Sequence, residues 1–412
     1  MKDVSPQPFD DFLRSVLDAE YDDFRRLPDA QVENQAAFEE MRAYVLEQYR
    51  DVKVTESYVD EDGQVLDFIP EAQHPAVRRW NGDPAADPPD APPAPEPSDT
   101  ALPEEAGSRA IDTSSALPRY RYPPEARRAP DGTIANYRTT LQQLSRFPNL
   151  AAYSAKDAVA RTSMDSFDHR YATGEQDIEC LGGASYLNVW NPFVTPLYKG
   201  TFSQQWYLAG HDGTLLQSVE CGWQIDYRRY GDSEPHLFVF TTRNNYATGS
   251  NFYNEDGGVF HTVPNPHVRP GQRLQFSHSD GTQIEYKMGF YRTGQGWWFY
   301  FDDHAIGCIP SEFFNNGPLT SRATRVRFGG EAATKVSTWP PMGSGQFASA
   351  GFGKSAYQRG AFVNPLSGGA VYASLSEAGS TSGSCYTIDI TNNSSSVWGT
   401  YLFFGGPGGQ PC

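Results

Sequence analysis

From about residue 180 onward the sequence is a succession of short apolar and aromatic runs, each closed by a turn signal. "LNVW" (187–190), "HLFVFTT" (236–242), "RLQFSHSDGTQIEYKMGF" (273–290), "GWWFYF" (296–301) and "TRVRFGG" (324–330) are interrupted by Asp212-Gly213, Asp256-Gly257 and Asp280-Gly281. Runs of this length are too short for helices, and their β-branched and aromatic side chains suit a pleated, buried surface. Aromatic residues make up 14% of the 412, with 38 Gly and 31 Pro, so the composition also favours strands and turns. The pattern predicts a mainly β protein of roughly a dozen strands, an antiparallel two-sheet β-sandwich of the jelly-roll kind. No internal repeat at a fixed period is present.

The first third follows other rules. Apolar residues at helical spacing (Phe9, Leu13, Val16, Leu17, then Phe38, Met41, Val45, Leu46) flank a proline break in "RRLPDAQ", which predicts two amphipathic helices. "VKVTESYVDEDGQVLDFI" (52–69) then reads as a hairpin around "DEDG". Residues 1–80 are expected to form a small α+β unit. The Pro-, Ala- and acid-rich stretch that follows has almost nothing to bury, so residues 81–130 are expected to be an extended linker. Residues 131–412 then form the β domain, entered through one more helix near "AAYSAKDAVA" (151–160).

Charge divides the chain at the same place. Residues 1–130 carry 28 acidic and 14 basic side chains and so hold −14 of the formal −17. That balance offers no basic footprint for nucleic acid or an anionic membrane surface, and neither partner is expected. No stretch approaches the ~18 apolar residues needed to span a bilayer, and "MKDVSPQPFDDFL" lacks the apolar core of a signal peptide. The five cysteines, Cys180, Cys221, Cys308, Cys385 and Cys412, show no CxxC spacing; no zinc site is expected and one or two disulfides are open.

Within the β regime one acid is out of place. Glu220 interrupts a strand-like run, "SVECGWQI" (218–225), although Glu is depleted in strands and a buried unpaired carboxylate is costly. Alternation puts Glu220, Gly222 and Gln224 on one face and Cys221, Trp223 and Ile225 on the other. A missing side chain at Gly222 would let a substrate backbone approach; the alternative is a solvated outer face. Glu331 has the same character, ending the run "TRVRFGGE" (324–331) beside Gly329 and Gly330. A close pair of carboxyls cannot easily hold two charges, so one stays protonated while the other is a base. Such a pair serves either water attack on a peptide carbonyl or cleavage of a glycosidic bond.

Other arrangements are weaker. "MGSGQF" (342–347) places Ser344 between glycines but outside the strand-turn-helix setting of a nucleophile elbow. His169, His211, His236, His261, His267, His278 and His304 show no metal-ligand spacing and read as core or surface residues. Asn393 lies in a glycosylation sequon.

Taken in order, "GASYLNVWNP" (183–192), "SQQW" (203–206), "VECGWQIDYRRYGD" (219–232), "GWWFYF" (296–301), "IGCIPSEFF" (306–314), "RFGGE" (327–331), "PMGSGQFASAGFGKSAYQR" (341–359) and "FFGGPGG" (403–409) resemble the motifs of the neprosin family of glutamic peptidases. "DGQVLDFIPEAQHPAV" (62–77) and "PDGTI" (130–134) resemble that family's N-terminal activation domain. The resemblance implies a β-sandwich peptidase with Glu220 and Glu331 as its catalytic pair. It implies an acid-active endopeptidase, made as a zymogen, that prefers to cleave after proline and uses neither metal nor organic cofactor. Its partners would be proline-rich peptide or protein substrates and the chain's own prodomain as inhibitor, in a monomer. The linker would be the processing region, and family members are secreted. The resemblance also points to a Cys385–Cys412 disulfide.

Glu220 is taken as the base. Gln204 and Gln224 are candidates to hold water or an oxyanion, or to be structural, and Trp206 is a cleft candidate that, with Trp297 and Trp298, reads first as core. Cys221 reads as core packing. The competing function is a carbohydrate-binding or glycoside-hydrolysing β protein, or an inactive relative.

Overall fold

The computed structural model describes residues 5–60, 62–80, 88–94, 129–156, 168–195, 199–210, 215–379, 384–392, 398–410 and 412. Helices α1 (Phe9–Leu17), α2 (Tyr21–Phe24) and α3 (Gln35–Gln48) open the chain, followed by strands β1 (Glu56–Val59) and β2 (Val65–Pro70) and helix α4 (Pro75–Trp80). On α3 the spacing read from sequence is the buried face, Phe38, Met41 and Val45, whereas on α1 it is Phe12 and Val16 that meet them, with Phe9 and Leu13 partly buried and Leu17 58% exposed. Asn34 caps α3 by accepting from the Ala37 amide at 2.9 Å. The hairpin closes through the Gly63 amide on the Asp60 carbonyl at 3.1 Å, with Gly63 at φ 80°.

Three later elements join this unit. Strand β3 (Thr133–Tyr137) pairs with β2 to make a three-stranded sheet. Helices α5 (Leu141–Ser145) and α6 (Leu150–Ser154) bring Leu141, Leu144, Phe147 and Tyr153 onto the α1–α3 core. A fully buried ion pair, Arg138 to Asp67 at 2.5 Å, with Ser57 donating to Asp67 at 2.6 Å, fixes the start of this segment to β2. By packing, then, β3, α5 and α6 belong to the N-terminal unit, while Tyr153 and Lys156 at the end of this segment reach the large-sheet domain. The helix expected near "AAYSAKDAVA" is present as α6 only to Ser154; Ala155 is extended, Lys156 is not helical, and residues 157–160 lie outside the described residues. Most of the expected linker does too, although the Tyr300 hydroxyl donates to the Pro89 carbonyl at 2.9 Å.

The rest of the chain is a fifteen-stranded antiparallel sheet. Its strands are β4 (Asp168–Asn188), β5 (Lys199–Ala209), β6 (Gln217–Ile225), β7 (His236–Thr242), β8 (Asn251–Tyr253), β9 (His261–Thr262), β10 (Glu285–Arg292), β11 (Gly296–Phe301), β12 (His304–Pro310), β13 (Ala323–Thr334), β14 (Ala356–Pro365), β15 (Val371–Tyr372), β16 (Ser376–Ala378), β17 (Thr387–Thr391) and β18 (Tyr401–Gly405). Short helix α7 (Tyr227–Tyr230) follows β6.

Where two separate sheets were expected, the hydrogen-bond ladder is continuous, and β4 is the reason. The first half of this 21-residue strand pairs with β13 and β16, and its second half with β10 and β14. It therefore belongs to two wings. Gly182 and Gly183 sit where it passes between them, and a Cβ there would come within 1.8 Å of the Phe290 carbonyl oxygen or 2.1 Å of that of Phe362. The curled sheet brings the wings together around one large core, with Tyr207 of β5 against Phe290 of β10 and Trp297 of β11. Trp297 and Trp298 are fully buried, as core residues.

The N-terminal unit docks through polar contacts. Arg229 donates to the Tyr153 carbonyl at 2.5 Å and lies 3.2 Å from Asp256, which also accepts from the Tyr153 hydroxyl at 2.8 Å. The Arg273 amide donates to Asp62 at 3.0 Å, and the Trp80 indole donates to the Gly258 carbonyl at 2.9 Å. Cys385 and Cys412 form a disulfide, while Cys180, Cys221 and Cys308 are buried and not disulfide-bonded among the described residues.

Candidate active site

The site is assembled on three adjacent strands. Cross-strand register aligns Trp206 of β5 with Glu220 of β6 and Arg327 of β13, then Gln204 with Gly222 and Gly329, then Phe202 with Gln224 and Glu331. The two glutamates thus stand on the same face at opposite corners of this patch, with Gln204 between them on the central strand. Every residue of β6 is buried, so neither face is the solvated one that alternation left open. Cys221, Trp223 and Ile225 point into the large core, and the face that carries Glu220 is covered by the N-terminal segment.

That cover is Lys156. Its ammonium contacts the Glu220 carboxylate, lies 3.3 Å from Glu331 Oε2 and donates to Gln204 Oε1 at 2.6 Å. One nitrogen within reach of both carboxylates bounds the gap between their nearest oxygens at roughly 6 Å. The lysine side chain is 4% exposed and the glutamates 0% and 1%. Four rings surround the charge, with centroids at 5.2 Å for Trp206, 5.5 Å for Phe240 and 5.7 Å for Phe202 and Phe238.

The two carboxylates differ in their other partners. Glu220 Oε1 accepts from the Ser218 and Tyr246 hydroxyls, each at 2.8 Å. Tyr246 is held in the left-handed region at φ 56°, an unusual place for an aromatic residue. Its turn is pinned by the Asn245 amide on the Leu216 carbonyl at 2.8 Å and by Asn251 on the Tyr246 carbonyl at 2.9 Å. Burial and the Glu220 charge push the Tyr246 phenol well above its ordinary pKa, so it stays a donor.

Glu331 Oε1 lies 2.6 Å from His169 Nδ1, and Oε2 accepts from Gln204 Nε2. Burial would raise the Glu331 pKa, but the Lys156 ammonium and then His169 outweigh it and bring the carboxyl down to about 2. Tyr171, stacked on His169, is pushed well above its ordinary value by burial and then by the charges of Glu331 and Glu220.

Of the residues singled out in sequence, the structure brings together Glu220, Glu331, Gln204 and Trp206. Gln224 shares the face but donates to the Tyr230 hydroxyl at 2.7 Å. Gly222 is not an opening for substrate: a Cβ there would meet the Ser203 carbonyl oxygen at 2.0 Å, because strand β5 occupies that space. Cys221 is buried on the far face, and burial followed by the Glu220 charge pushes its thiol well up. Lys156, His169 and Tyr246 were not singled out as site residues. A lone lysine in the small-residue stretch "YSAKDA" was the one local hint of the first; the others reach the site only through strand pairing and a strained turn.

A mainly β chain with a buried glutamate pair on one face is the kind of protein that sequence comparison then specifies. The family model for neprosin matches residues 199–407, which span half the chain and include both glutamates, and the chain belongs to the neprosin family. This relates it to a family of peptidases. Similar solved structures include a carbohydrate-binding module from Bacillus subtilis (9% identity, 42% of this chain and 85% of that one, TM-score 0.21). Another is a homodimeric agglutinin from chicken liver (8% identity, 41% of this chain and 93% of that one, TM-score 0.20). Likeness at these scores carries no argument about function.

Proposed function

We propose that this chain is a glutamic endopeptidase held as a zymogen by Lys156. The observation that carries the reading is a single buried ammonium shared by Glu220 and Glu331. Two carboxylates in one dry site repel each other, and a cation between them makes both charges tolerable while filling the space that water and a peptide would need. With Lys156 withdrawn, one carboxyl takes up a proton and the pair becomes an acid and a base. The base removes a proton from water as its oxygen adds to the scissile carbonyl carbon. The acid gives its proton to the carbonyl oxygen, and the C–N bond then breaks as the amine nitrogen is protonated. Gln204, already touching Glu331, is placed to orient that water.

Phe202, Trp206, Phe238 and Phe240, left without the ammonium, offer ring faces to a pyrrolidine, which supports a preference for proline. The chain's own acidic N-terminal unit, docked on Arg229 and Arg273, acts as the inhibitor.

Because Lys156 follows the 81–130 stretch, a cut there alone leaves the ammonium in place. Activation by proteolysis therefore requires a cut between Lys156 and Asp168. Incubation at pH 3–5, followed by gel electrophoresis and N-terminal sequencing, tests this. A product beginning within 157–168 that acquires peptidase activity supports the reading. An intact 45.7 kDa chain with no activity at any of these pH values overturns it.

A further inference from the structure

Among the described residues, the ionisable cations that touch either carboxylate are Lys156 and His169, and His169 touches only Glu331. Resting on the peptidase reading above, we propose that His169 is a positioning residue that keeps Glu331 the ionised member of the pair, so that Glu331 is the base and Glu220 carries the proton.

The asymmetry is geometric. Without Lys156, Glu220 keeps two neutral hydroxyl donors, Ser218 and Tyr246, both at 2.8 Å. Glu331 keeps the Gln204 amide and the His169 ring at 2.6 Å. Of two buried carboxyls competing for one proton, the one whose partner is a ring able to carry positive charge releases it first, because a cation stabilises the charged form and a hydroxyl does so far less.

The other groups facing Glu331 do not reverse this. Tyr171 on β4 and Tyr253 on β8 are phenols whose pKa values are raised, and both remain neutral. Arg170 beside His169 donates to the Cys412 carbonyl and lies over the Trp339 ring at 4.7 Å. Arg327, on the same strand as Glu331, is committed to Glu175 at 2.5 Å.

The ring is also well placed for this duty. His169 is 10% exposed as a side chain, and its Nε2 is buried with no hydrogen-bond partner among the described residues. One ring nitrogen is engaged by Glu331 while the other is left for a solvent or substrate group once the cover leaves. The role reverses the sequence expectation that Glu220 is the base.

The test is His169→Gln, which keeps a hydrogen-bonding group and removes the charge. In the acid-activated enzyme the acid limb of the kcat/KM profile is expected to move up by about one pH unit, a loss of about tenfold on that limb, with KM little changed. A merely structural role would lower activity without moving the limb. Carbon-13 NMR of glutamate carboxyls in full-length Lys156→Met needs no turnover, so it separates this proposal from the peptidase reading. It should show Glu331 ionising at lower pH than Glu220, and the two converging when His169→Gln is added. An unmoved acid limb and unmoved Glu331 titration, or Glu220 ionising first, would overturn the assignment.

Discussion

Lys156 precedes Glu220 by 64 residues, yet its ammonium rests on that carboxylate with 4% of the lysine side chain and none of the glutamate exposed. A buried charge pair of this kind is weak evidence for stability as such, but breaking one side of it is expensive, typically about 3–5 kcal/mol. The arrangement is therefore well suited to a cover that is either fully seated or released.

Lys156→Ala removes the charge and empties the space that the side chain fills between the two carboxylates. The unprocessed variant is expected to hydrolyse a quenched proline-containing peptide at least tenfold faster than unprocessed wild type, since nothing then compensates the two carboxylates under the cover. Equal inactivity of the two intact chains, with both activated equally by removal of the N-terminal segment, would show that the ammonium is not the lock.

Acid should loosen the lock through Glu331. Its pKa is held at about 2 in the covered state, below the ordinary glutamate value near 4.3, so the stabilisation is complete above that ordinary value and is lost as pH falls toward 2. Only the part of that lowering due to Lys156 favours the seated form, because His169 stays beside Glu331 when the cover leaves. Glu255 and Asp256 at the docking seam act in the opposite sense, because burial raises their pKa values and protonation there favours the docked form. Amide hydrogen-exchange protection around Lys156, followed between pH 5 and 3 with the intrinsic pH dependence of exchange divided out, should fall in wild type. No change in protection over that range would contradict the assignment of the acid response to Glu331.

The Cys385–Cys412 bridge spans 27 residues near the end of the chain and ties Cys385, in the large core, to the segment whose Cys412 carbonyl accepts from Arg170. Cys385→Ser should lower unfolding stability by about 3 kcal/mol on the loop-entropy account. Denaturant unfolding with and without reductant checks this: the variant should match reduced wild type.

Much of this was legible in sequence because the governing physics is local. Short apolar and aromatic runs such as "HLFVFTT" and "GWWFYF" are β7 and β11 residue for residue, and the 3–4 spacing of Phe38, Met41 and Val45 is the buried face of α3. Glu220 and Glu331 stood out because a carboxylate is unfavourable in an aromatic strand. What was not legible depends on contacts far apart in sequence. His169 and Glu331, 162 residues apart, meet only because β4 pairs with β13. The single continuous sheet depends on β4 being shared by both wings, which no window of residues reports. Lys156 closes the site from two residues beyond the end of α6, where the chain has turned extended, although the sequence pattern had continued the helix through it.

The central claim is that Glu220 and Glu331 together hydrolyse peptide bonds. The direct measurement is hydrolysis of a quenched proline-containing peptide at acidic pH by activated wild type, Glu220→Gln and Glu331→Gln, each with its folding checked by circular dichroism. Cleavage by wild type with a loss of about a thousandfold or more in both variants is the predicted result. Full activity in either folded variant would contradict it.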